Sequence, residues 1–301
     1  MTEKFTPKSI VTVGAFDGVH RGHQAILHRL VSKGREISAH PVVVSFWPHP
    51  SHVIGSKPLR LINTLEEKKQ LIRSHGIEKL VIIPFTPDFS QLSALGFIKN
   101  YLIEQFSMKY FLVGYNHHFG NDRLGDINII KQYGKELGFE VEKAGSVEIG
   151  DEKISSTKIR QALTEGNVEL ANTYLGYTFF LSGIVSRGQM LGRTIGFPTA
   201  NVQIDYDYKL LPRDGVYAVN VEIEGKFYKG MLNIGHRPTV NTDKLLKTIE
   251  AHIIDFDQDI YGHQITIHFV KRVRDEIKFP NLDSLKSQLA NDKLQVINFL
   301  A

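Results

Sequence analysis

Two histidines flank a glycine, as His20, Gly22 and His23, at the end of a turn that starts at Gly14. An apolar run precedes the turn and a helical pattern follows it, so free amide N–H groups of a helix N-terminus face outward there. Two imidazoles at this spacing can hydrogen-bond phosphate oxygens and stabilise charge that develops at a phosphorus atom. Ordinary polar loop residues are the alternative. The pattern predicts catalytic roles for His20 and His23, and phosphate binding by Gly14, Phe16, Asp17 and Gly22.

A second phosphate-binding pattern runs from Gly188 to Asn201. Its glycines allow main-chain amides to approach phosphate oxygens closely. Thr199 and Asn201 offer neutral oxygens that can join those phosphates around Mg²⁺. The Gly-Lys-Ser/Thr ending of a P-loop is missing, and a structural loop between strands is an equally good interpretation. The candidate nucleotide-binding residues of this loop are Gly188, Gly192, Arg193, Gly196 and Pro198.

A third pattern covers residues 154–160 and opens another predicted helix. Its hydroxyl groups and its arginine can hold the outer phosphates of a nucleotide. Simple N-capping is the alternative for the serines. The candidate phosphate-binding residues are Ser155, Ser156, Thr157 and Arg160.

The elements that must position these residues change in kind near residue 177. Before it, apolar runs alternate with amphipathic patterns, which predicts an α/β domain with a Rossmann-like parallel sheet, helices on both faces and ligands at the carboxyl ends of the strands. The predicted strands are Ile10–Val13, Pro41–Phe46, Leu80–Phe85 and Tyr110–Val113. The predicted helices are Gly22–Val31, Leu65–His75, Ser93–Phe106 and Asp126–Leu137.

After residue 177, strand patterns follow one another without helices between them, which predicts a small closed β-barrel. A last helix is expected from Leu282 to about Leu300. The predicted domains are therefore residues 1–177 and 178–301. The predicted barrel strands are Phe179–Val185, Val216–Ile223, Phe227–Ile234, Thr248–Phe256 and Gln264–Val270.

Composition limits the compartment and the partners. The 301 residues include no cysteine and carry a net charge of +4, which excludes disulfides and thiolate chemistry. The first eight residues lack an apolar signal segment and no apolar run is long enough to span a bilayer, so we expect a cytoplasmic protein without a membrane partner. Basic and acidic residues are interspersed, which favours nucleotide polyphosphates over nucleic acid as the anionic partners.

The second half resembles the riboflavin kinase (flavokinase) family, whose glycine-rich loop ends in Gly-Phe-Pro-Thr-Ala-Asn, here Gly196–Asn201. The resemblance implies a six-stranded Greek-key barrel that moves the γ-phosphate of ATP to riboflavin. It also implies Mg²⁺ contacts for Thr199 and Asn201, and a general-base role for Glu250. Further matching blocks follow in the family's order at Gly215–Tyr217, Asn233–Thr239, Ile249–His252 and Arg274–Phe279.

Arg274 and Glu276 fall where this family holds the flavin. A surface ion pair is the alternative for these two residues. Glu250 itself lies mid-strand, where a solvated carboxylate is the alternative. The resemblance to the family favours the functional role at all three positions.

The first half resembles nucleotidyltransferases that carry His-x-Gly-His. With the flavokinase blocks behind it, nearly the whole chain resembles the bacterial bifunctional riboflavin kinase/FMN adenylyltransferase (FAD synthetase) family. This resemblance implies a second reaction, in which the FMN phosphate attacks the α-phosphorus of ATP to give FAD and pyrophosphate. It also implies a flavin-binding role for Asn116.

Four residues depart from the pattern of that family. Ala15 replaces a polar residue, Trp47 an acidic one, Asn116 a carboxylate and His117 an aromatic ring. An amide cannot act as a base, so these changes favour weak or lost adenylylation. A flavokinase with a silent first domain, or a flavin- or nucleotide-responsive binding protein, are the alternatives. Intact Thr199, Asn201 and Glu250 argue against the binding protein.

Overall fold

The structure is a computed structural model that describes residues 7–55, 59–115, 126–150, 152–188, 192, 195–204, 207–239 and 242–301. For residues 237–239 and 242–246 it describes the main chain alone. The chain forms two compact units, Met1–Ser156 and Thr157–Ala301. The predicted boundary between residues 177 and 178 stays a prediction.

A five-stranded parallel sheet forms the first unit, in the order β3-β2-β1-β4-β5. Its strand order reverses between β1 and β4, which is the point where ligands bind in sheets of this kind. A two-stranded antiparallel ribbon, β6 and β7, follows the sheet. The strands are β1 (Ser9–Val13), β2 (His40–Trp47), β3 (Lys79–Pro84), β4 (Met108–Val113), β5 (Glu140–Lys143), β6 (Glu148–Ile149) and β7 (Glu152–Lys153).

Helices cover both faces of this sheet. Val11 and Val42 pack with Phe97 and α7 on one face, whereas Ile10 packs with α1 and α3 on the other. Successive strand residues point to opposite faces, so the near-continuous apolar strands are explained by burial on both sides. The helices are α1 (Arg21–Glu36), α2 (Pro50–Ile54), α3 (Leu65–Ser74), α4 (Pro87–Ser90), α5 (Ala94–Phe97), a π-helix (Ile98–Ile103), α6 (Glu104–Phe106) and α7 (Ile127–Leu137).

A closed antiparallel barrel forms most of the second unit, in the order β10-β11-β12-β9-β8-β13. The β8–β9 pair stands between β12 and β13, so neighbours in the barrel are not always neighbours in the chain, as a Greek-key arrangement requires. The strands are β8 (Phe180–Ser186), β9 (Ala200–Gln203), β10 (Gly215–Ile223), β11 (Lys226–Thr239), β12 (Thr242–Ile253) and β13 (Gln264–Arg274).

Three helices complete the chain: α8 (Ser156–Glu165), α9 (Val168–Leu175) and α10 (Leu282–Phe299). The Asn172 amide joins α9 to the barrel, because its Nδ2 donates to the Phe269 carbonyl at 2.8 Å and its Oδ1 accepts from the Phe179 amide at 2.7 Å. Asn281 caps α10 by accepting from the Ser284 amide at 2.9 Å.

The predicted fold class is confirmed, with a parallel-sheet unit followed by a six-stranded barrel and a terminal helix. Every predicted strand and helix is present, with ends that differ by up to six residues, and the predicted helix Ser93–Phe106 is divided into α5, the π-helix and α6. The strand patterns missed β5 and β9, which are only four residues long, and the two-residue strands β6 and β7. None of the described helices is long and apolar enough to cross a membrane.

Candidate active sites

The glycine-rich loop and the Glu250 strand meet in the second unit. β9 pairs antiparallel with β12, so that Asn201 lies opposite Glu250 and Ala200 opposite Ala251. Cα atoms of such partners stand about 5 Å apart. The barrel thereby brings the last residues of the loop next to the predicted general base, although the two are far apart in sequence.

Close packing within this loop explains two of its glycines. A Cβ on Gly188 would lie 2.0 Å from Nδ2 of Asn201, and a Cβ on Gly192 would lie 2.2 Å from the Phe197 carbonyl oxygen. A side chain at Gly192 must displace the loop backbone, whereas one at Gly188 must displace the Asn201 side chain. The Phe197 amide also donates to the Gly192 carbonyl at 2.8 Å, so the loop is folded against itself before it reaches Thr199.

His252 holds this loop from the neighbouring strand. Its Nδ1–H donates to the Pro198 carbonyl at 2.8 Å, and its ring packs edge-on against Phe197 with 5.3 Å between centroids. His252 is only 6% exposed, and burial lowers its pKa although the Pro198 bond opposes this. The neutral ring therefore fixes the peptide group that immediately precedes Thr199.

Sequence reasoning assigned no role to His252, although it lies two positions after Glu250 on the same strand face. Its Nε2 is buried and has no hydrogen-bond partner among the described residues. The two-residue spacing from Glu250 indicates a shared strand face, but it does not predict that His252 is buried.

A cavity of about 380 Å³ opens beside the loop, within the size range of small-molecule sites. Thr199 and Glu250 border it, together with Arg274 and Glu276. Its apolar wall comes largely from α10 and the segment before it, through Ile277, Phe279, Leu282, Leu285 and Leu289. The cavity therefore joins a polar end near the loop to an apolar end under the last helix.

A second cavity of about 300 Å³ lies at the same loop, between Pro198–Ala200 and the segment Phe256–Tyr261. Thr199 borders this cavity as well as the larger one. The arrangement suits two ligands that meet at the Thr199 hydroxyl.

Arg274 and Glu276 both reach the larger cavity, but each already has a partner. The Arg274 guanidinium forms a bidentate pair with Asp292 of α10, with Nε donating to Oδ1 at 3.0 Å and Nη2 donating to Oδ2 at 2.7 Å. Glu276 accepts from Nδ2 of Asn233 at 3.1 Å and lies over Gly235. The ion pair with Asp292 holds α10 over the cavity. Arg274 thus has a structural role in addition to the predicted contact with the flavin.

The oxygen donors at this site fit a magnesium nucleotide. Thr199 and Asn201 supply neutral oxygens, and Glu250 is the carboxylate beside them. Mg²⁺ prefers oxygen ligands and is often held mainly by substrate phosphates with one or two protein groups. Within the described residues there is no cluster of three acidic or histidine side chains that would hold a metal alone.

In the first unit, the two predicted catalytic histidines lie together at the N-terminus of α1. His20 is the N-cap residue, and its Nδ1 accepts from the His23 amide at 3.4 Å. Their rings stack with 3.7 Å between centroids. Burial, followed by the charges of His20 and Lys68, holds the pKa of His23 well below its ordinary value. His23 is therefore neutral at pH 7 and can donate one N–H.

The other residues of this turn support its shape. The Gly14 amide donates to the Val44 carbonyl at 3.0 Å, and Phe16 is buried in the core. The Asp17 carboxylate accepts from the Ile62 amide at 2.9 Å. A Cβ on Gly22 would lie 3.1 Å from the His20 ring. Phosphate binding by these four residues stays a prediction.

The third pattern reaches the same turn through Ser156, whose Oγ donates to the Asp17 carbonyl at 2.8 Å. Ser155 directly precedes it at the start of α8. Thr157 and Arg160 follow within α8 and belong to the second compact unit. Asn116, His117 and Arg193 lie outside the described residues.

Two family profiles match the chain. The family described as FAD synthetase matches residues 2–158, and the family described as riboflavin kinase matches residues 175–300. Two relatives named bifunctional riboflavin kinase/FMN adenylyltransferase are each 39% identical to this chain. The Bacillus subtilis protein aligns over 98% of this chain and 93% of its own length, and the Escherichia coli K12 protein over 96% and 92%.

A solved structure from Streptococcus pneumoniae, of a protein named for macrolide efflux, is also similar to this chain. It superposes with a TM-score of 0.91 at 34% identity, covering 99% of this chain and 96% of that one. The same two-unit fold is therefore present along the whole of both chains.

Proposed function

The chain belongs to the bifunctional riboflavin kinase/FMN adenylyltransferase family, and from this membership we propose that it makes FMN from riboflavin and FAD from FMN, with ATP as co-substrate of both reactions. The barrel unit performs the first reaction and the parallel-sheet unit the second. The proposed location is the cytoplasm.

In the kinase reaction, riboflavin occupies the larger cavity, with its ring system against the apolar wall of α10 and its ribityl chain towards Glu250. ATP occupies the smaller cavity and places its γ-phosphate near Thr199. The pairing of Asn201 with Glu250 and the position of Thr199 between both cavities support this arrangement. It brings the 5′-hydroxyl and the γ-phosphorus together, which is the main contribution that phosphoryl transfer requires.

Glu250 accepts the proton of the 5′-hydroxyl as that oxygen bonds to the γ-phosphorus and the bond to ADP breaks. Thr199 and Asn201 would hold Mg²⁺, which neutralises charge on the nucleotide phosphates. The main-chain amides of the loop from Gly188 to Gly196 approach the phosphates. His252 keeps the Pro198 peptide, and with it Thr199, in place.

In the adenylylation reaction, an oxygen of the FMN phosphate attacks the α-phosphorus of ATP and pyrophosphate leaves. His20 and His23 donate N–H groups to the phosphate oxygens and stabilise the charge that develops there. The neutral His23 ring still carries one N–H that can donate to a phosphate oxygen. The positive end of the α1 helix dipole, at its N-terminus, adds to this stabilisation.

One observation carries the proposal, namely that the end of the loop pairs with the Glu250 strand and that Thr199 and Glu250 line one flavin-sized cavity. The test is incubation of the purified protein with riboflavin and MgATP, followed by chromatographic separation of the flavins. FMN together with FAD is the expected result. FMN alone, with added FMN also unconverted, would mean a silent first unit, and neither product would leave a binding protein.

A further inference from the structure

Lys68 of α3 is buried between the ends of two strands of the parallel sheet. It is 5% exposed, and its Nζ donates to the Ala15 carbonyl at 3.3 Å, the Ser45 hydroxyl at 3.1 Å and the Phe46 carbonyl at 3.3 Å. A lysine ammonium has three N–H donors, so these acceptors account for all of them.

The acceptors belong to the turn after β1 and to the last residues of β2, which lead into the two turns that border the candidate adenylylation site. Ala15 lies in the turn that leads from β1 to His20 and His23, and Phe46 directly precedes Trp47 at the end of β2. Carboxyl ends of neighbouring parallel strands form one edge of a sheet, where ligands bind. Lys68 therefore joins the two turns at that edge.

The start of α3 is itself fixed to the first of these turns. Thr64 and Glu67 form a reciprocal capping box, with bonds of 2.8 and 3.2 Å, and the Ile62 amide just before it donates to Asp17 at 2.9 Å. These contacts fix the start of α3 relative to the turn. The position of the Lys68 ammonium is therefore determined by the fold as well as by the conformation of its flexible side chain.

A buried ammonium is costly, because it leaves water for a few fixed dipoles. Burial lowers the pKa of Lys68 to about 8, although the Asp17 carboxylate opposes this. Apolar packing at this position would need only an uncharged side chain of similar length. The presence of a charged group therefore indicates a task at the two turns beyond filling space.

We propose that Lys68 is a positioning residue for FMN adenylylation, which fixes the turn carrying His20 and His23 relative to the turn that begins at Trp47. This inference rests on the proposed function of the first unit. Two of the three bonds go to main-chain carbonyls, so they do not depend on the side chains of Ala15 and Trp47. Ala15 and Trp47 both differ from the family pattern, but the main-chain bonds from Lys68 are present all the same.

The direct test is Lys68→Met, with Lys69→Met as the matched control on the same helix. Lys69 pairs at the surface with Glu66 at 2.7 Å. FAD formation from supplied FMN is expected to fall about 100-fold in Lys68→Met, mainly in kcat, because a displacement of about 1 Å at a reacting centre has an effect of this size. Lys69→Met should keep wild-type activity, and FMN formation from riboflavin should be unchanged in both variants.

The pH dependence separates positioning by a charged group from simple structural support. Asp17, Lys69 and His23 are the titratable groups whose charges act with Lys68. As pH rises through about 8, wild-type Lys68 loses its charge, and FAD formation should decline. Stability should rise over the same interval, because the folded state releases the proton before the unfolded state does, up to an unfolded pKa of about 10.4.

Lys68→Met should lack this alkaline decline. A decline that persists in the variant, or FAD formation within a few-fold of wild type, would overturn the proposal. If the variant does not fold, the pH dependence of the wild-type protein serves as the test. A fall in stability above pH 8 that parallels the fall in FAD formation would contradict a charge-dependent role for Lys68. If the wild-type protein forms no FAD, both this inference and the proposed adenylylation are overturned. If Lys68→Met forms FAD at the normal rate, only the positioning role of Lys68 is overturned.

Discussion

At the scale of single residues, the chemistry of each candidate depends on what its neighbours leave available. His20 uses its Nδ1 to cap α1, and its ring stacks on that of His23. His23 is kept neutral by burial and by nearby positive charge. The glycine between them lets the two rings stack, because a side chain at Gly22 would press against His20.

His23→Ala is expected to lower FAD formation from FMN by at least about 100-fold, because a donor to developing charge is lost. FMN formation should be unaffected, since the barrel does not use this residue. Both rates are measured on one protein preparation. His28→Ala, which removes an exposed histidine bonded to His75, serves as the control and should leave both rates unchanged. Equal FAD formation by the two variants would remove His23 from the mechanism.

Family blocks in the sequence were sufficient to predict Thr199, Asn201 and Glu250 as one group, and the pairing of β9 with β12 places two of them side by side. Lys68 and His252 were not predicted. Lys68 lies in the run Glu66–Gln70, which has the composition of a solvated helix face. Only the packed structure shows that Lys68 and the neighbouring Glu67 point inward.

At the scale of elements, the kinase site depends on one loop and one helix that short-range sequence patterns describe poorly. The loop is held by its glycines and by His252. The helix α10 is held by the ion pair between Arg274 and Asp292, whose carboxylate is fully buried. The strand β9 was not predicted, because its four residues directly continue the glycine-rich loop and show no alternation of apolar and polar residues.

Replacing His252 tests how the loop is held. An asparagine can place an amide N–H near the position of Nδ1, whereas a glutamine places it near Nε2. His252→Asn is therefore expected to keep the bond to Pro198 and most of the kinase activity. His252→Gln should lose about 1 kcal/mol or more of stability with that bond and show a lower kcat. Steady-state kinetics with riboflavin and MgATP provide the comparison, and equal kcat values would contradict a role for Nδ1.

Asp292→Ala tests the anchor of α10. Removing one partner of a buried ion pair typically costs about 3–5 kcal/mol, so the barrel unit should unfold at a clearly lower temperature. The affinity for riboflavin should fall as well, because α10 forms the apolar wall of the cavity. The control is Asp283→Ala in the exposed first turn of the same helix, where about 0.3–1 kcal/mol is expected. Similar melting temperatures for both variants would argue against the anchor.

At the scale of the whole molecule, each compact unit has its own core and its own proposed reaction. Composition and periodicity were enough to predict a parallel sheet followed by a barrel, because burial on both faces gives continuous apolar strands. The limits of the units are harder to predict. Helices α8 and α9 lie between the predicted boundary and the division at Ser156, and helical patterns do not reveal which unit a helix packs against.

The contacts of α9 lead to a prediction about fragments. Asn172 bonds to Phe269 and Phe179, and Glu169 pairs with Lys271 at 3.3 Å. A fragment of residues 157–301 keeps these contacts, whereas one of residues 178–301 loses them. Thermal unfolding should show that the longer fragment is the more stable. Equal stability would place the functional boundary at residue 177, as the sequence patterns predict.

Glu250→Gln tests the kinase site, through the rate of FMN formation measured together with riboflavin binding by fluorescence. The amide keeps the shape of the side chain but cannot accept the proton. We predict that FMN formation falls by at least about 100-fold, while riboflavin affinity and FAD formation from supplied FMN stay at wild-type values. Turnover of riboflavin near the wild-type rate would contradict the central claim that Glu250 and the Thr199 loop form one phosphoryl-transfer site.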